Sequence, residues 1–269
     1  MTMRMHVLDL GRMYLDEAQL VAGIHAATFR NQNPAAAWVD IPVAAFLVDY
    51  GGGWLLYDTG CNIREAVIPE GGDAVSPFAG TGDDLVEARL AGLGLKPGDV
   101  SHVVLSHLHV DHAGYLHLFR GAEAVVAERE FVETVGLYRQ RRFPDGPYKY
   151  GDFDNFLGAN LRWRLLPEVY REYAIVPGVT AINFGPGHAY GMTGLLVGLP
   201  EAGNFLLCSD ALYRAENFGP PVRLPGLVYD SIGYVRTAEF IRRFAAEKQA
   251  TVVYGHDKRQ FAALKPVYS

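Results

Sequence analysis

Cysteine is nearly absent: the 269 residues contain two, Cys61 and Cys208. That excludes a disulfide framework, and their separation fits no cysteine zinc motif. Both read as buried thiols, although Cys208 precedes Asp210 by two residues on a strand and so shares its face. Long apolar runs are also missing. No stretch nears the roughly 18 uninterrupted apolar residues of a membrane helix, and the first residues lack the charged, apolar, small-residue order of a signal peptide. A cytoplasmic protein with no membrane partner is the expectation. Positive charge is scarce as well, with 24 Lys and Arg against 30 Asp and Glu and a net charge of −6. The nearest basic cluster, Arg139, Arg141 and Arg142, is short and followed by acids. Nucleic acid binding takes clustered cations against phosphates, so no nucleic acid partner is expected.

What is present is a globular composition, 49% hydrophobic and 20% charged, long enough to bury a large core in one domain over 1–269. Strand patterns run over His6–Leu10, Val43–Tyr50 and Trp54–Tyr57, the last two joined by the glycine turn Gly51-Gly52-Gly53. Leu20–Asp40 reads as a loop or short helix over a pocket, and Asp84–Leu93 as a helix stopped near Gly94. Val103-Val104-Leu105 is a buried strand, Ala124–Ala127 a second, and Glu128–Leu137 a helix. From Tyr138 to Tyr173 the regular pattern fades into scattered aromatics, an insertion suited to a lid over a cleft or to a homodimer contact. Strands resume at Val179–Phe184, Thr193–Val197 and Asn204–Cys208, and a helix over Thr237–Glu247 leads to a last strand, Thr251–Tyr254. Strands and helices alternate in both halves.

Of the nine histidines, three fall with an aspartate inside six residues, His107-Leu108-His109-Val110-Asp111-His112, just after a buried strand. A strand end is a stiff platform from which a tight loop can aim several side chains at one point. Imidazole and carboxylate suit zinc and its neighbours, and a hydrolytic site must leave one coordination position open. His107 and His109 can reach one metal while Asp111 and His112 turn toward a second. Further candidates stand after other strands: His188 in Gly185-Pro186-Gly187-His188, Asp210 after Leu206-Leu207-Cys208, and His256 after Val252-Val253-Tyr254-Gly255. Each has a small or turn-forming neighbour that allows close approach of backbone to an ion. The remaining histidines, His6, His25, His102 and His117, read as structural or solvent-facing, with His25 in the loop that would border the pocket.

With Asp58-Thr59-Gly60, the His107–His112 motif, Gly187-His188, Ser209-Asp210 and Gly255-His256, the chain resembles the metallo-beta-lactamase superfamily over nearly its whole length. The resemblance implies a four-layer αββα sandwich of mixed α/β class, with two divalent metal ions at one edge of its sheets. It implies that His107, His109 and His188 hold one ion, that Asp111, His112 and His256 hold the other, that Asp210 bridges them, and that Asp58 orients ligands from behind. Zinc is the expected metal, with cobalt, manganese or iron as the alternatives. Within the superfamily the chain is most similar to the N-acyl homoserine lactone lactonases of quorum quenching. That similarity rests on Gly11–Asp16, Ser106–Gly114, Asp210–Phe218 and Tyr254–Asp257. It implies that Tyr213, three residues after the bridging aspartate, faces the substrate carbonyl.

The implied chemistry is opening of a lactone ring by a hydroxide held between two cations, with Tyr213 donating to the developing oxyanion and Asp111 or Asp210 carrying the proton to the leaving oxygen. Two departures stand out: Met192 follows Gly191 where those enzymes commonly repeat Gly-His, and Tyr115 stands where they often have a second glycine. The substrate is thus a small lactone or ester. The rival readings are a hydrolase for another lactone, ester or thioester, such as a glyoxalase II relative, and a metal-binding sensor without turnover.

Overall fold

Alternation along single strands shows how this sequence builds layers. In the computed structural model, which describes residues 3–63, 74–144 and 146–269, Ala45 and Leu47 enter one hydrophobic cluster while their neighbours Phe46 and Val48 enter another. The same split divides Val103 from Val104, and Ala124 and Val126 from Val125. A strand that buries both faces must be covered on both sides, which is why these segments read as apolar runs.

The strands are β1 (Arg4–Asp16), β2 (Trp38–Asp49), β3 (Trp54–Tyr57), β4 (Phe78–Ala79), β5 (Val100–Val104), β6 (Glu123–Ala127), β7 (Arg162–Leu166), β8 (Glu172–Val176), β9 (Val179–Gly185), β10 (Met192–Leu199), β11 (Gly203–Ser209), β12 (Ala250–Tyr254) and β13 (Val267–Tyr268). The α-helices are α1 (Glu17–Leu20), α2 (Val86–Gly92), α3 (Val110–Ala113), α4 (Glu128–Arg139), α5 (Tyr150–Leu157), α6 (Ala215–Phe218), α7 (Ser231–Glu247) and α8 (Lys258–Ala263). Among the described residues one sheet runs β13-β1-β2-β3-β5-β6-β7, with β4 added on β1, and the other runs β12-β11-β10-β9-β8. Met5, Phe46, Tyr57 and Val104 of the first sheet meet Val179, Leu195, Phe205 and Leu207 of the second in the central cluster. Val86 and Leu90 of α2 with Phe153 and Phe156 of α5 cover the outer face of the first sheet, and Ala238, Ile241 and Phe244 of α7 cover that of the second. The result is the expected four-layer αββα sandwich.

The boundaries differ in instructive ways. β1 continues past Leu10 because Gly11, at φ +95°, accommodates a bulge between Asp9 and Arg12 and pairing then resumes to Asp16. Among the described residues from Tyr138 to Tyr173 regular structure is not lost throughout: the end of α4, α5, β7 and the start of β8 lie there, and Phe153 and Phe156 are core residues. α7 begins six residues earlier than its apolar spacing announced, capped by Asp230, whose carboxylate accepts from Gly233 N–H at 2.9 Å. Thr251–Tyr254 is not the last strand, since α8 and the two-residue β13 follow. Cys61 and Cys208 are both buried free thiols, Cys208 within the cluster under α7. No helix of the described residues is long and apolar enough to cross a membrane.

Candidate metal centre

β3 and β5 run parallel, as do β11 and β12, and β9 shares their direction within its sheet because both β9 and β11 are antiparallel to β10. The segments leaving the carboxyl ends of these strands carry all the candidate residues. Asp58 follows β3, the His107–His112 stretch leaves β5 and enters α3, His188 follows β9, Asp210 follows β11 and His256 follows β12. His107, His109, His188 and Asp210 each offer an atom within 4.8 Å of the others, and Asp111, His112 and His256 form a second such group. All seven are buried. The two groups adjoin through Asp210. Its Oδ2 lies 3.2 Å from His188 Nε2 and 3.8 Å from His107 Nε2, while its Oδ1 lies 3.0 Å from His256 Nε2 and 3.3 Å from His112 Nε2. One carboxylate oxygen therefore serves each group. Asp111 Oδ2 completes the second, 3.4 Å from His112 Nε2 and 3.5 Å from His256 Nε2.

The outer partners of the imidazoles decide which nitrogen points inward as a lone pair. His188 Nδ1 faces the Leu227 carbonyl at 3.1 Å and His256 Nδ1 the Pro42 carbonyl at 2.8 Å. A carbonyl only accepts, so both Nδ1 atoms carry the proton and both Nε2 atoms face inward, that of His188 2.9 Å from His109 Nδ1 and that of His256 3.0 Å from Asp210 Oδ1. His112 Nδ1 lies 2.9 Å from Asp58 Oδ2, with the same consequence. The Ser106 hydroxyl donates to Asp58 Oδ2 at 2.8 Å and is thus left to accept from His107 Nδ1 at 2.9 Å. His107 Nε2, His112 Nε2 and Asp210 Oδ1 are then buried with no hydrogen-bond partner. Orphaned donor atoms of imidazole and carboxylate, converging in two groups, are what a pair of divalent cations requires.

Electrostatics point the same way. Burial, reinforced by neighbouring imidazoles, holds His107 and His109 well below the ordinary histidine pKa, and burial lowers His188. These three are kept in the neutral form that binds metal. Burial also opposes charge on His112 and His256, but Asp111 and Asp210 outweigh it and raise both. A cation in the second group would displace those protons. Against its own burial, Asp111 is held at about 2, chiefly by His112, and Asp210 is held well below the carboxylate range by His256, His112 and His188.

Tyr213 lies in the turn after β11, with its hydroxyl 3.1 Å from His188 Nδ1 and its ring between those of His188 and His256. Burial, then Asp210 and Asp111, raise its pKa far above the usual phenol, so it remains an O–H donor. Behind the two donor groups, Asp58 accepts from Ser106 N–H at 2.7 Å and from the hydroxyls of Ser106 and Ser209 at 2.8 and 3.3 Å. Gly255 is required by closeness: a Cβ there would stand 2.7 Å from Asp210 Oδ1 and 2.7 Å from the Ser209 carbonyl carbon. His25 pairs with Glu17 at 3.0 Å outside the donor groups. Ser106 and Ser209 are quoted within sequence motifs, but no role is assigned from sequence to them or to the buried Glu130. Serines beside ligand positions were the one local signal for the first two.

Residues 38–256 match the metallo-beta-lactamase superfamily. The chain belongs to that superfamily. It is 39% identical over 269 residues to the N-acyl homoserine lactonase AiiB of Agrobacterium fabrum, covering 97% of this chain and 96% of the relative. It is 33% identical over 264 residues to the N-acyl homoserine lactonase AttM of Rhizobium radiobacter, covering 96% and 97%. This superfamily member also shares its fold with a solved N-acyl homoserine lactone hydrolase that carries N-hexanoyl-L-homoserine at its catalytic metal centre. There the TM-score is 0.80 at 24% identity, over 98% of each chain.

Proposed function

We propose that this protein is a dinuclear metallohydrolase that opens the ring of N-acyl homoserine lactones. The observation that carries the chemistry is Asp210, whose two oxygens face two separate groups of buried donors. The substrate class follows from the lactonases to which the chain is similar over nearly its whole length. His107, His109, His188 and Asp210 would hold one divalent ion, and Asp111, His112, His256 and Asp210 the other. Zinc is the ion we assign, because five imidazoles and two carboxylates are donors that suit it. Bound there, two divalent ions would supply Lewis acidity at the lactone carbonyl and bring the pKa of water down to near neutrality.

The chain's own residues supply the rest. Tyr213, held neutral, donates its O–H to the oxygen that gains negative charge as the carbonyl carbon becomes tetrahedral. Asp111 is the most exposed of the seven at 7%, and it carries the proton taken from the attacking water to the ring oxygen as that bond breaks. The outer hydrogen bonds from His112 to Asp58, from His188 to Leu227 and from His256 to Pro42 keep three imidazoles in the ligating tautomer throughout.

The test is acid release from a panel comprising acyl homoserine lactones, a simple lactone, an aryl ester and a glutathione thioester, with metal content measured in parallel. Acyl homoserine lactones should turn over fastest, chelation should abolish turnover, and zinc, cobalt or manganese should restore it. A thioester cleaved faster than every lactone would overturn the substrate assignment, and absence of turnover by fully loaded protein would overturn the catalytic one.

A further inference from the structure

Glu130 belongs to neither donor group, yet it is completely buried at the start of α4. Burying a carboxylate is costly unless its oxygens are well bonded, so its partners identify what it holds. Oε1 accepts from the Leu108 N–H at 3.0 Å and from the Tyr148 hydroxyl at 3.0 Å, and Oε2 accepts from the Gly191 N–H at 3.1 Å. Leu108 lies between His107 and His109. Gly191 lies three residues after His188, on the way into β10. The Tyr148 ring meets the His109 ring edge-on, with centroids 4.5 Å apart. The contact with the His188 segment is tight: a Cβ on Gly191 would stand 3.0 Å from Ala127 Cβ and 3.0 Å from Glu130 N. The other donor group is anchored elsewhere, His112 by Asp58 and His256 by the Pro42 carbonyl.

We propose that Glu130 is a positioning residue that sets the spacing of His107, His109 and His188, and hence the affinity of the ion these three hold, without touching ion or substrate. The inference rests on the dinuclear reading above. A carboxylate is needed because the two backbone N–H groups address different oxygens. Glutamine has one acceptor oxygen, so its NH2 would face either Leu108 N–H or Gly191 N–H, and a backbone group one residue from His107 and His109 or three from His188 would lose its partner.

The experiment starts from zinc-loaded protein and follows release of each ion to a chromophoric chelator, in wild type and in Glu130→Gln. One ion should bind about 10- to 100-fold more weakly in the variant, the range for loss of a residue that orients a metal ligand, and the other should stay within about twofold. Repeating the substitution in two backgrounds assigns the effect. It should persist in His256→Ala, which keeps the first group, and vanish in His188→Ala, which keeps the second. Cobalt substitution should show an altered visible spectrum for the affected ion alone, while the thermal midpoint of metal-free protein shows whether the fold has changed. Equal weakening of both ions, equal effects in the two backgrounds, or unchanged affinities would overturn the proposal. If Glu130→Gln does not fold, Tyr148→Phe, which removes one donor, should give a smaller loss confined to the same ion, and a loss shared by both ions would again overturn it. Wild-type protein that fails to hold two ions would refute the dinuclear reading itself, whereas a wild type that does so and a Glu130→Gln protein that matches it would refute this inference alone.

Discussion

Asp58→Asn is the change that isolates the tautomer argument, because it alters charge and donor pattern while leaving shape and backbone alone. Asp58 sits at φ +62°, in the left-handed region that asparagine enters as readily as aspartate. Its Oδ1 takes the Ser106 N–H, and its Oδ2 takes His112 Nδ1–H together with the two serine hydroxyls. With the amide oxygen in place of Oδ2, the NH2 meets the Ser106 N–H donor to donor across the 2.7 Å that now holds a hydrogen bond. With the amide reversed, the hydroxyls can turn to accept, but His112 must give up its Nδ1 proton and move it to Nε2, the atom that would ligate. Either way a hydrogen bond involving a charged group is lost, worth about 1.5–3 kcal/mol. At about 1.4 kcal/mol per decade this corresponds to roughly 10- to 100-fold in metal affinity, the range seen when such partners are removed. Chelator competition on the zinc-loaded variant gives the affinity, and nitrogen chemical shifts of the His112 ring give the tautomer. Zinc affinity within twofold of wild type, with His112 still protonated on Nδ1, would refute the claim that Asp58 selects the ligating nitrogen.

How much of this was legible in sequence followed the range of the interactions. His188, Asp210 and His256 are legible because each lies just past a strand beside a small or turn-forming residue, His107, His109, Asp111 and His112 because they crowd into six residues after a buried strand, and the structure brings all seven together. Trp54–Tyr57 reads with its observed ends, since the glycine turn before it is a local signal. The strand pattern of β1 stops before Gly11, because a glycine that accommodates a bulge looks the same in sequence as one that ends a strand. β7, Arg162–Leu166, carries arginines on either side of Trp163, so its pattern resembles a solvated loop, and its strand identity comes from pairing with β6. Glu130 was illegible for the same reason. Nothing within a helical turn marks it, and its Gly191 partner lies 61 residues away. Local chemistry announces candidate donors, whereas a carboxylate that bonds to segments far apart in sequence is defined only once those segments meet.

Tyr213→Phe should leave metal content intact and lower kcat by about 10²-fold or more, the usual effect of removing one oxyanion donor. Steady-state acid release checks this, and unchanged kinetics would remove the tyrosine from the mechanism. A pH prediction follows from Glu130 in the metal-free protein. Burial, opposed by hydrogen bonds from Leu108, Gly191 and Tyr148, raises its carboxyl from 4.5 to about 7. The folded state therefore binds this proton more tightly than the unfolded state does. Its stabilising contribution is complete below pH 4.5, declines as pH rises toward 7, and is gone above, a swing of at most about 3 kcal/mol. Glu130→Gln has no such proton, so urea unfolding of metal-free wild type should lose stability relative to the variant between pH 4.5 and 8. Curves that stay parallel across that interval would show that the buried carboxyl titrates at its ordinary value, and that the hydrogen bonds from Leu108, Gly191 and Tyr148 compensate its burial in full.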